Sequence, residues 1–113
     1  MNELTPLLDI AALEAAIAES SERPVLLFKH SRNCGISCEA FDELQEHLSS
    51  GHRPIGYKLI TVQSHRGVSE EASTRLGIRH ETPQVILLKN GRPVWNASHF
   101  RITANELHRV VGH

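Results

Sequence analysis

"VLLFKHSRNCGISCEAFDEL", Val25 to Leu44, carries the decision about the fold. Its first four residues are a continuous apolar run without alternation, the pattern of a strand covered on both faces. Polar residues from Lys29 onward mark the end of that strand. Phe41, Leu44 and Leu48 then recur at helical spacing, which predicts a helix from about Cys34 to Leu48. A covered strand feeding a helix is the opening of an α/β unit whose strands lie parallel.

The same alternation continues outward in both directions. Upstream, Ile10, Leu13 and Ile17 stand at i, i+3 and i+7, with Asp9 placed to cap, so residues 9–20 read as a helix with one buried stripe. A short extra strand fits around Leu4 to Leu8. Downstream, "YKLITVQ" (Tyr57 to Gln63) reads as a strand and Val68 to Leu76 as a helix, with Gly77 to end it. The pattern then changes: "QVILL" and "PVWNAS" flank Asn90-Gly91, the strongest short hairpin signal. Thr103 and Glu106 form a capping box for a last helix, Thr103 to Val111. Parallel strands closed by a hairpin describe one α/β domain over residues 1–113, a mixed sheet with helices on both faces.

A domain of 113 residues buries enough surface to fold without staples. Its two cysteines, Cys34 and Cys38, are therefore read as chemistry. Twelve basic and thirteen acidic residues give a net charge of −1, which leaves no electrostatic footprint for nucleic acid and no polybasic membrane patch. The opening Met1-Asn2-Glu3 is followed by an apolar stretch broken at Asp9 and Glu14, so neither a signal peptide nor a membrane span is expected. The expected compartment is the reducing cytoplasm, where close cysteines are more often catalytic or metal-binding than structural.

Cys34 falls at the predicted turn from strand to helix. The partial positive charge of a helix N-terminus favours thiolate, and open α/β sheets bind ligands at the carboxyl ends of their strands. Of eight histidines, His47, His52, His65, His108 and His113 fall where solvated side chains are expected. His30, His80 and His99 lie near predicted strand ends, and each either caps a strand or tunes the thiol, as a cation or a proton carrier. A zinc site built on Cys34 and Cys38 lacks the usual ligand spacings, and no metal is expected. Lys29 and Arg79 are candidates for an anionic substrate group or simply solvated charges. Trp95 alternates with Ala97 and reads as core.

"FKHSRNCGIS" (Phe28 to Ser37) and "VQSHRGVSEEASTRLGIRHETPQVILLKNGRPVWNASH" (Val62 to His99) resemble the monothiol bacilliredoxin family of the thioredoxin superfamily, over about residues 20 to 108. Two positions depart from the family pattern: Gly35 stands where Pro or Ser is usual, and Cys38 is a second thiol that the monothiol scheme does not require. The resemblance implies a thioredoxin-like three-layer sandwich, a mixed central sheet of four to five strands flanked by helices. It implies an oxidoreductase in which Cys34 is the nucleophile, with Thr82, Pro83, Gly35 and Ser37 binding the substrate and a cis bond at Thr82-Pro83. No cofactor is implied beyond a small thiol co-substrate, bacillithiol or an analogue. S-thiolated client proteins are the implied partners. Cys38 is left with two readings, a resolving thiol or a packing residue beside Phe41 and Leu44. Two rival functions stay open: a dithiol reductase cycling Cys34 and Cys38, and a non-catalytic metal-binding or stress interaction module.

Overall fold

The computed structural model describes residues 4–32, 35–51 and 53–112. Chain order is β1 (Leu4–Pro6), α1 (Ile10–Glu19), β2 (Val25–His30), α2 (Gly35–Ser49), β3 (Gly56–Thr61), α3 (Arg66–Leu76), β4 (Gln84–Lys89), β5 (Arg92–Ser98), a 3₁₀ turn at His99–Arg101, and α4 (Ala104–Val111). The five strands form one sheet in the order β1-β3-β2-β4-β5. β1, β3 and β2 are parallel, while β4 runs antiparallel to β2 and β5 antiparallel to β4. The predicted alternation and its closing hairpin are therefore both present.

β2 lies in the middle, and its side chains divide by parity. Val25 and Leu27 pack with Leu13, Ala16, Val68, Ala72 and Leu76 of α1 and α3 on one face. Leu26 and Phe28 pack with Ala40, Leu44, Leu48 and Leu107 of α2 and α4 on the other. This two-sided burial is what an unbroken apolar run requires. β2 extends two residues past the predicted end, to His30, and the same parity carries Lys29 to the α3 face and His30 to the α2 face. Lys29, read from sequence as an exposed charge, is instead fully buried.

Local signals hold at most ends. The Asp9 carboxylate accepts from Ala12 N–H at 2.8 Å, and α3 stops at Gly77 with φ of 65°. Asn90 and Gly91 have φ of 54° and 76°, the pair of left-handed residues that a tight hairpin turn needs. The turn is fastened to the far end of α1: Asn90 N–H donates to Ser20 O at 2.7 Å and Gly91 N–H to Ser20 Oγ at 2.8 Å. Thr103 caps α4 by accepting from Glu106 N–H at 3.1 Å, and Glu43 of α2 accepts from Ala104 N–H at 2.7 Å. Two further expectations fail. Ile10, the first residue of α1, is 37% exposed; Leu13 of the expected stripe is buried, and Ala16 joins it in place of Ile10.

His47 is a further correction. It was read as solvated but is fully buried, one helical turn beyond Leu44, on the stripe of Ala40, Leu44 and Leu48. Its Nε2 lies 2.8 Å from Tyr57 Oη and its Nδ1 2.7 Å from Nδ1 of His108, so one buried ring joins α2, β3 and α4. Burial, and then the charges of Arg53 and His108, hold its pKa down at about 4. Burial also pushes Tyr57 up to about 12, against the opposing pull of Arg53, so the phenol stays protonated and the imidazole neutral. Among the described residues no helix is long and apolar enough to cross a membrane.

Candidate active site

The carboxyl ends of β2 and β3 meet the amino end of β4 at one pole of the sheet, since Lys29 pairs with Gln84 and His30 with Thr61. The chain leaves β2 at His30 and enters α2 at Gly35, with Cys34 and Asn33 in between in sequence. The expectations for Cys34, like the solvated reading of His52 and His113, lie outside the described residues.

Ser37 closes the loop between β2 and α2. Its fully buried hydroxyl accepts from Ser31 N–H at 2.9 Å and pairs with Nδ1 of His30 at 2.9 Å. The His30 ring stacks on Phe41 with centroids 4.9 Å apart and on Phe28 at 5.8 Å. Burial, then the nearby Arg32 charge, push its pKa below the ordinary value, so the ring is neutral at pH 7. A neutral ring can exchange a proton but supplies no positive field for a thiolate. Gln63 grips the loop from the other side: its Nε2 donates to Ser31 Oγ at 2.7 Å and its Oε1 accepts from Arg32 N–H at 3.2 Å. Gln63 and Ser31 were not singled out from the sequence, because a loop clasp by a side-chain amide has no periodicity.

Gly35 and Cys38 are exposed on the first turns of α2, and Cys38 is a free thiol. A Cβ at Gly35 would meet nothing within 4 Å, so neither space nor a left-handed φ demands glycine there.

The Thr82-Pro83 bond is cis and leads directly into β4, as the resemblance implied. His99 N–H donates to Pro83 O at 3.0 Å, which ties this loop to the 3₁₀ turn. His99 itself has φ of 56° and an exposed side chain. Its backbone reaches the site, whereas His80 reaches it by side chain: Nε2 lies 3.3 Å from Thr82 Oγ1. On the inner side, Nδ1 of His80 lies 3.2 Å from Lys29 Nζ, and that ammonium donates to Ser73 Oγ at 2.6 Å. Lys29 is thus a buried partner of the loop and not a surface contact for an anion. Arg79 is exposed.

Beside the site, a groove of about 300 Å³ opens between α2 and the 3₁₀ turn, lined by Ile36, Ala40, His99, Phe100 and Ile102 with Glu39 among its acidic residues. Phe100 is 70% exposed at its margin. Helix N-terminus, parallel-strand ends, cis-proline loop and open groove together make a place where an extended chain can be held over α2.

The model of the family described as monothiol bacilliredoxin BrxC matches residues 5–107. Among solved structures, a protein assigned as an oxidoreductase with a thioredoxin fold shares 29% identity at a TM-score of 0.85, covering 96% of this chain and 94% of its own. The thioredoxin of Fasciola hepatica superposes at 0.76 with 17% identity, covering 96% of both chains. That of Malassezia sympodialis does so at 0.74 with 15% identity, covering 98% of this chain and 90% of its own. At those identities the two thioredoxins speak for the fold alone.

Proposed function

Since the chain belongs to the monothiol bacilliredoxin family and is a thiol–disulfide oxidoreductase of thioredoxin fold, we propose that it removes a low-molecular-weight thiol, bacillithiol or an analogue, from mixed disulfides on client proteins. Cys34 is the nucleophile of this reading. Its thiolate attacks the sulfur of the small thiol; a new disulfide forms between Cys34 and that thiol as the client disulfide breaks, and the client leaves as thiolate. A second small thiol then attacks the adduct, takes the first as a symmetric disulfide, and returns Cys34 to thiolate. Each step exchanges one S–S bond for another, with no net electron loss inside the protein. No cofactor beyond the small thiol is required, and the reducing cytoplasm is the compartment in which the cycle would run.

The family match across residues 5–107 carries the reading. Two features support it: the cis bond at Thr82-Pro83, which this reading takes as the disulfide-aligning loop, and the groove beside α2, which it takes as the bed for a client segment. The exposed Cys38 thiol, four residues after Cys34, favours one second reading, in which Cys38 resolves the adduct internally. Intact-mass measurement after mixing reduced protein with oxidised bacillithiol, and separately with a bacillithiolated client, tests both. One small-thiol adduct is expected, lost in Cys34→Ser. Adduct formation or client repair that survives in Cys34→Ser would end the proposal.

A further inference from the structure

Under the Thr82-Pro83 loop a lysine is sealed into the α3 face of the sheet. Lys29 is fully buried, and the partners of its ammonium are a hydroxyl and a ring nitrogen, Ser73 Oγ at 2.6 Å and His80 Nδ1 at 3.2 Å. An ammonium has only donors. Nδ1 of His80, which also lies 3.3 Å from Ser69 Oγ, therefore presents its lone pair, and the ring proton is left on Nε2. Nε2 is the nitrogen 3.3 Å from Thr82 Oγ1, so an N–H faces the threonine oxygen.

We infer that Lys29 and His80 are positioning residues of the exchange site: the buried ammonium selects the Nε2–H form of His80, and that N–H orients the Thr82 hydroxyl beside Pro83. The inference rests on the reading of Thr82 and Pro83 as the disulfide-aligning loop. Removing a cation from water is costly, and a methionine-sized apolar side chain would satisfy the packing alone; a charge retained there with no carboxylate paired to it among the described residues points to its proton geometry. The surroundings are consistent. His80 is kept neutral by burial first and by the Lys29 charge second, with Glu70 and Glu81 opposing and Arg66 assisting. Burial lowers Lys29 to about 8, so the ammonium is the main form at pH 7 and gives up its charge as pH rises through that value.

The decisive measurement is the His80 tautomer by ¹⁵N-edited NMR at pH 7. The wild type is expected to carry its proton on Nε2, and Lys29→Met to shift a substantial share to Nδ1. A wild-type ring protonated on Nδ1, or a tautomer that Lys29→Met leaves unchanged, overturns the inference. Exchange supplies the second readout. Lys29→Met and Thr82→Val are each expected to slow adduct formation from a mixed disulfide about tenfold and to do no worse in combination. Alkylation of Cys34 by iodoacetamide, which needs no aligned disulfide, is expected to keep its wild-type rate in Lys29→Met. Additive losses in the double variant, or equal loss of alkylation, overturn the inference. An absence of exchange in wild type would strike the functional reading, while the tautomer still decides the positioning claim.

Discussion

Ser37 concentrates the local logic of the site in one hydroxyl. It holds Ser31 N–H and His30 Nδ1 together, so its removal leaves two polar groups without that partner at the loop preceding α2. Ser37→Ala is expected to lower stability by about 1–2 kcal/mol in urea titration and to slow adduct formation more than it slows Cys34 alkylation. An unchanged exchange rate would show that the clasp is dispensable. Cys38 poses the complementary question. Cys38→Ala is expected to form the Cys34 adduct at the wild-type rate; if Cys38 resolves it, the adduct persists longer in the variant when no external thiol is present. Equal lifetimes by mass spectrometry would make the protein purely monothiol. At this scale the sequence was legible where a residue type and its neighbours repeat a known pattern, as in the cis bond at Thr82-Pro83. Lys29 was misread because the strand was ended at Phe28. Extending β2 to His30 turns the next odd position inward, and the tertiary partners Ser73 and His80 make that burial tolerable.

Among elements, the junction of α2, β3 and α4 is where acid should act. His47 is held down at about 4, first by burial, while the unfolded chain protonates near the ordinary value of about 6.5. Between these two values the unfolded state binds the extra proton, so stability falls as pH falls through the window from about 6.5 to 4. The loss ascribed to His47 is on the order of 2–3 kcal/mol, and His30 and His80, also lowered, add in the same direction. Chemical denaturation at pH 7 and pH 4.5 should show this decline, with a distinctly smaller decline in His47→Leu. A variant that keeps the wild-type pH slope would remove His47 as its source. The sequence signal for this junction was present but unweighted: His47 sits seven residues after Ala40 and three after Leu44, on the buried stripe. A polar residue on an apolar stripe is legible as buried only once Tyr57 and His108 are seen to receive it.

For the molecule as a whole, the order of strands and helices was legible because the central strands β2 and β4 are covered on both faces and each connection is short. The unbroken apolar run of β2 marked a strand in the middle of the sheet, but the full order of the strands follows from the crossovers, which no single stretch of sequence contains. Nor does any stretch announce that the hairpin turn at Asn90-Gly91 is bolted to Ser20 at the end of α1, some seventy residues earlier, with the Ser20 hydroxyl receiving Gly91 N–H and donating onward to Ile17 O. Hairpin tips ordinarily surrender their amide hydrogens to solvent within the fastest phase of deuterium exchange. Here the tip is stitched to the N-terminal half of the chain, so the Asn90 and Gly91 amides are expected to exchange slowly, with Ser20→Ala releasing Gly91 while Asn90 stays protected by the backbone carbonyl. Fast exchange at both in wild type would mean the stitch does not hold in solution. If it does hold, these two amides, at the opposite end of the β2–β4 ladder from Lys29 and Gln84, open only when both halves of the sheet part, which makes them a built-in gauge of global unfolding.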